Sequence, residues 1–198
     1  MAENAVQQRE TPRGLVSQRP LYDDGLVRWY AARAGEGRED ALARKLRSVL
    51  PAEVLEDAFC PRWEMVLKRR GEWFRVVRTM FPGYVMLVSA DGGALLRALS
   101  GLSFAVPMAG RRGNALSPVD AEVQRWLEGA LDEGHVLRAS EGVIRAGELT
   151  VNSGPLKGSE RRVRKIDRHR SMAWVGLGEP AGGGQTLLRV ALSVPRKE

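Results

Sequence analysis

The stretch from 80 to 88, MFPGYVMLV, constrains this chain more than any other. Pro82 holds φ in one range and Gly83 tolerates positive φ, so the pair predicts a tight bend ahead of an apolar strand running from Tyr84 to Val88. Such a bend holds two rings, Phe81 and Tyr84, at the strand's entrance. Core packing is the ordinary use of such rings. Their neighbours in the chain argue for a further role.

Residues 1–27 are polar, with turn signals at Thr11-Pro12-Arg13-Gly14 and Asp23-Asp24-Gly25 and no sustained periodicity, and are expected to be a flexible leader. RWYAARA, from Arg28, predicts a short strand. Residues 38–50 predict a helix, because Leu42, Leu46, Val49 and Leu50 recur at helical spacing, Glu39 and Asp40 suit its first turn, and Pro51 stops it. Residues 54–88 alternate as β structure, with Arg69-Arg70-Gly71-Glu72 as the turn of a hairpin. Asp91-Gly92 opens a helix carrying Leu95, Leu96, Leu99 and Leu102, and 104–108 is a strand candidate. In Ser117-Pro118-Val119-Asp120, Ser117 is the expected cap of a helix whose stripe is Val119, Val123, Trp126, Leu127 and Leu131, ended by Gly134. These elements predict an α+β sandwich, an antiparallel sheet with helices on its faces.

Residues 135–141 read as a linker. Beyond them, 142–198 show no helical period, only short alternating segments at 149–151, 162–166, 172–177 and 187–192, with Gly182-Gly183-Gly184 as a hairpin tip. Several short strands in so short a span predict a small β-barrel.

No apolar run approaches the roughly 18 residues of a membrane span, and the first residues lack the apolar core of a secretory signal, so a cytosolic protein is expected. The single cysteine, Cys60, excludes an internal disulfide and any CxxC metal site. No cofactor is implied. The net charge of +7 is unevenly spread, with 11 Lys+Arg against 6 Asp+Glu from Glu141 onward. Between 157 and 170 the chain packs seven Lys+Arg against two acids. A solvated charged face is the plain reading of such a run. The barrel context, the concentration of charge and a Gly-Pro loop whose backbone N–H groups could meet phosphates favour a polyanionic partner. Five neutralised phosphates would give log K against log salt a slope of about −3.5 to −4.5. His169 could stack or donate, but nothing around it has the pattern of a nucleophile or an orienting acid, so no enzyme is expected.

RWYAARAGEGRE and its helix, the hairpin, FPGYV and finally a Gly-Pro-Leu-Lys-Gly barrel, in that order over 28–196, resemble the NusG family of transcription elongation factors. The resemblance implies an NGN domain at 28–134 and an SH3-like KOW barrel at 142–198. GPLKG with KIDRHR and the later LGEP most resemble the LoaP class of specialised paralogues. For the first domain the resemblance implies docking on the clamp helices of the RNA polymerase β′ subunit, with Phe81, Pro82, Gly83 and Tyr84 forming an apolar pocket and Trp29 and Phe104 packing beneath or beside it. For the second, a LoaP-like protein is implied to bind a nascent RNA hairpin, for which Lys157, Arg161, Arg162, Arg164, Lys165, Arg168, His169 and Arg170 are the candidates. A general NusG would instead turn this barrel to termination factor Rho or ribosomal protein S10. Arg161 stands where a KOW glycine is usual, which puts the Rho and ribosome contacts in doubt. A monomer is expected. A ribosome-associated KOW protein would keep the basic barrel without needing the pocket, and an enzyme using Cys60 or His169 has no recognisable partner residues.

Overall fold

The computed structural model describes residues 26–110, 116–178 and 186–194; the expected leader, all but its last two residues, and the Gly182–184 tip lie outside them. The chain is of mixed α+β class, with three helices and three sheets among the described residues. Strand β1 (Arg28–Arg33) is followed by helix α1 (Glu39–Val49), then β2 (Asp57–Phe59), β3 (Arg62–Arg69), β4 (Glu72–Thr79) and β5 (Tyr84–Ser89). In the first sheet β5 lies between β1 and β2, antiparallel to both. All six β5 residues are buried, which is why YVMLVS is continuously apolar to its last residue instead of alternating.

The two faces of that sheet carry different cores. Tyr30, Ala32, Val85 and Leu87 face α1 and α2 (Gly92–Ser100), which contribute Leu46, Leu95 and Leu99. Trp29, Ala31, Tyr84, Met86 and Val88 face α3 (Ala121–Ala130), which contributes Val123 and Leu127. Full burial of Leu46 or Leu87 stabilises by about 1.5–3 kcal/mol each. Asp91 caps α2 as expected, accepting from the Ala94 N–H at 2.8 Å. Val49 does not join its stripe and is exposed, because α1 ends there and Leu50 turns inward in its place.

Two other expectations change. Ser117 does not cap α3. Asp120 does, accepting from Glu122 N and Val123 N, while the Val119 N–H is taken by Trp29 O at 2.7 Å, so pairing with β1 straightens 117–119. Residues 104–108 form no strand. They follow the free edge of β1 through the Arg33 N to Pro107 O and Ala109 N to Ala31 O bonds, and Pro107 lacks the N–H to extend a ladder.

The hairpin is a two-residue turn with positive φ at both Arg70 and Gly71, the combination that matches strand twist. Its sheet runs β4-β3-β6, where β6 (Val136–Leu137) is short and parallel to β3. Residues 135–141, expected as a linker, thus carry β6 and the start of β7 (Ser140–Arg145), and Val136, Leu137, Ala139 and Ser140 are buried. The remaining strands are β8 (Glu148–Ser153), β9 (Val163–Asp167), β10 (Met172–Leu177) and β11 (Thr186–Ser193), in the order β8-β7-β11-β10-β9. Leu188, Val190 and Leu192 alternate inward along β11 and join Val175, Leu177 and Leu156. That core is continuous with the Trp29 face of the first sheet, since β11 packs on β3 and α3 on β10.

Candidate nucleic-acid interface

The bend at 81–84 forms as its sequence demands. Tyr84 N donates to Phe81 O at 3.1 Å, and Gly83 takes φ +81°, so Pro82 and Gly83 occupy the middle of a turn that needs both. Two contacts pin it. Ala34 N donates to Gly83 O at 2.8 Å, and Gly83 N donates to the buried carboxylate of Glu39 at 2.7 Å. The residue read as an ordinary first-turn acid of α1 therefore holds the turn in place, which no spacing rule could reveal.

Phe81 and Tyr84 are only 4% and 9% exposed. They share one cluster with Trp29 and Phe59, whose rings meet edge to face at 5.0 Å, and His135 stacks on Phe59 at 3.8 Å. Phe104 is not brought to them. It lies on the other side of the sheet, against the second core and under the Lys45 ammonium at 3.5 Å. Pro82 is exposed and Gly83 half-buried, so the turn shows solvent its backbone rather than its rings. Beside it, Cys60 Sγ donates to Tyr84 O at 3.8 Å, and burial, with the Glu39 charge adding to it, pushes the thiol up to about 11. A thiol that stays protonated at neutral pH is a poor nucleophile.

The basic run is shaped by the GPLKG loop. Gly154 has φ +91°, and a Cβ there would stand 2.6 Å from Ser140 Cα and 2.8 Å from Ala139 O, so only glycine fits against β7. The loop's N–H groups are spent internally: Leu156 N on Ser140 Oγ at 3.1 Å, Lys157 N on Gly154 O and Ser159 N on Leu156 O. The expectation that this backbone meets phosphates is corrected accordingly, at residues 156, 157 and 159. The chain then makes a 3-10 turn, Glu160–Arg162, and enters β9, the edge strand of its sheet.

Along that edge Lys157, Arg161, Arg164, Lys165, Arg168, His169 and Arg170 are exposed. Val163 and Ile166 turn inward. Simple alternation would send only one of Arg164 and Lys165 outward, but Lys165 pairs with Trp174 and Val163 with Val175, so one extra residue bulges out of β9 and both cations reach solvent. Lys165 Nζ lies 5.0 Å from the Trp174 ring, Arg164 donates to Arg161 O at 3.5 Å, and Arg170 N bonds the Asp167 carboxylate. Arg162 is the exception. It pairs with Glu122 on α3, close to where Trp126 Nε1 donates to Ser159 Oγ at 3.3 Å, and so ties the strip to the helix. Among the described residues no group of three or more His, Cys, Asp or Glu could hold a metal ion.

The α+β chain thus combines a Pro-Gly turn set on two buried rings with an exposed cationic edge on its barrel, a surface whose chemistry suits a polyanion. No family model matches it. It is similar to the transcription termination/antitermination protein NusG of Vibrio cholerae, 25% identical over 152 residues that cover 73% of this chain and 82% of that one. The protein of the same name from Escherichia coli is 27% identical over 150 residues, again covering 73% and 82%. Among solved structures, one described as domain interaction in Thermotoga maritima NusG covers 85% of this chain and 94% of its own, with TM-score 0.45 and 14% identity. Over about three quarters of its length, then, the chain is similar to the transcription termination/antitermination proteins named NusG.

Proposed function

We propose that this protein is a transcription processivity and antitermination factor of the specialised, LoaP-like kind. Residues 28–134 dock on the clamp helices of the RNA polymerase β′ subunit, and 142–198 hold a nascent RNA hairpin. The observation that carries the reading is the bulged edge strand, which sends Arg164 and Lys165 outward together beside Lys157, Arg161, Arg168, His169 and Arg170. Closely spaced exposed cations on a rigid strand suit the phosphates of a folded RNA, and Arg forks add reach to base edges in loops. On the polymerase side Phe81 and Tyr84 shape the docking face from beneath, with Pro82 at its rim. Arg162, committed to Glu122, is a brace for the strip rather than an RNA ligand.

The test is single-round elongation through a terminator, on templates with and without a structured leader. Read-through is expected to rise only where the leader is transcribed. Arg164→Glu with Lys165→Glu is expected to abolish that rise while polymerase binding persists. Read-through that ignores both the leader and the charge reversal would instead make this a general factor whose barrel serves Rho or ribosomal protein S10.

A further inference from the structure

The outer half of the ribbon formed by β3 and β4 adds no buried side chain to the core. From Val66 to Arg78 no described side chain is buried, on either face, and a two-stranded ribbon exposed on both faces buries too little to be worth its length. Yet β4 carries Trp73, Phe74 and Val77 at 53%, 38% and 42% exposure, three of the large apolar side chains left in solvent. The charge is as uneven as the burial. Residues 68–78 hold five basic residues and one acid, net +4, whereas the first 140 residues together carry 20 basic and 18 acidic, net +2. Averaging over the N-terminal part hides this concentration completely.

The register places the parts on one face. Lys68 stands directly opposite Trp73, with its Nζ 5.5 Å from the indole, and Arg70 occupies the turn beyond them. Arg75, two residues along β4 on the same face, is already held by Glu64 and Glu141 at 3.2 and 2.9 Å and closes the far end. We propose that this face is a second nucleic-acid contact, which takes a single unpaired strand. A base stacks on Trp73, and its flanking phosphates lie on Lys68 and Arg70. A polyanion answers the charge, but only one with free flat rings answers the exposed indole as well, and a duplex keeps those ring faces in its own stack. An acidic polypeptide on the free edge of β4 would satisfy the charge and leave the indole without purpose.

The contact is independent of the barrel strip. It is tested with the full chain, by anisotropy of a labelled oligothymidylate of about 12 nucleotides, within the usual site size. Trp73→Ala is expected to weaken binding about tenfold, and Trp73→Phe, which still stacks, to stay within about twofold of the parent. Lys68→Gln with Arg70→Gln is expected to reduce the salt slope by about 1.4, the share of two single-strand phosphates. All three results should persist in the Arg164→Glu, Lys165→Glu background, which separates a failure here from a failure of the strip. Binding by Trp73→Ala within about twofold of the parent overturns the proposal. So does an equal loss of affinity for polyglutamate, which would make the ribbon a protein-docking surface.

Discussion

Gly154→Ala and Gly158→Ala form a matched pair that tests how the basic strip is held. Both glycines sit at positive φ, +91° and +81°, in the same loop. An L-residue in that region costs about 1–2 kcal/mol at either position. Their surroundings differ. A Cβ at 154 meets the backbone of Ala139 and Ser140 at 2.6–2.8 Å, whereas at 158 nothing lies within 4 Å. Backbone of a buried strand cannot swing aside as a side-chain tip can, so the overlap adds about 1–3 kcal/mol at 154. Expected losses are therefore about 2–5 kcal/mol for Gly154→Ala. Gly158→Ala should lose roughly 1 kcal/mol, since alanine also restricts the unfolded chain. For a chain of this size each kcal/mol moves Tm by about 2–4 °C, so the pair should differ by several degrees. Urea unfolding followed by tryptophan fluorescence, with thermal scans by circular dichroism, measures both. Equal losses would show that the loop does not press on β7, and the account of how GPLKG positions β9 would fall.

Three further outcomes are expected. Phe81→Ala should cost about 3–5 kcal/mol and Phe81→Leu no more than about 1.5, because the ring is core; thermal unfolding decides, and a mild Phe81→Ala would mean the ring is not packed. Breaking the half-exposed pair with Arg162→Glu should cost no more than about 1 kcal/mol, restored by the swap Glu122→Arg with Arg162→Glu; a double-mutant cycle without coupling would refute the brace. Asp132 is held below its usual 3.8 by the Val136 N–H, Arg138 and the Gly134 N–H. Its contribution is thus full above 3.8 and is lost as pH falls through the depressed value, so Asp132→Asn should remove part of the acid dependence of unfolding between those limits.

Much of the framework was legible because its signals are local. The Pro-Gly bend, the Arg70-Gly71 turn and the Asp91 cap depend on a few neighbouring φ values and side chains, and each formed where the residues required it. Ser117 was misread because Val119 N found a partner in Trp29 O, 90 residues away in the chain. Strand β6 was missed because a two-residue segment gains its order from β3, and β7 because SEGVIR alternates too weakly to show a strand, although its main partner β8 lies just across the Ala146-Gly147 turn. The site divides the same way. The cations from Lys157 to Arg170 could be counted in the sequence, but the commitment of Arg162 to Glu122 could not.

By itself, then, the sequence determined the α+β class, the punctuation of the chain, the strip's composition and the order of its motifs, all of which depend on residue type and short spacing. Tertiary structure alone decided that the FPGYV rings are core, that Glu39 clamps their turn, that a bulge turns Arg164 and Lys165 out together, and that Trp73 on the ribbon is left exposed. Those outcomes depend on which distant backbone groups and apolar surfaces meet. Hydrogen bonds and burial are satisfied across the whole chain at once, so no window of sequence contains them.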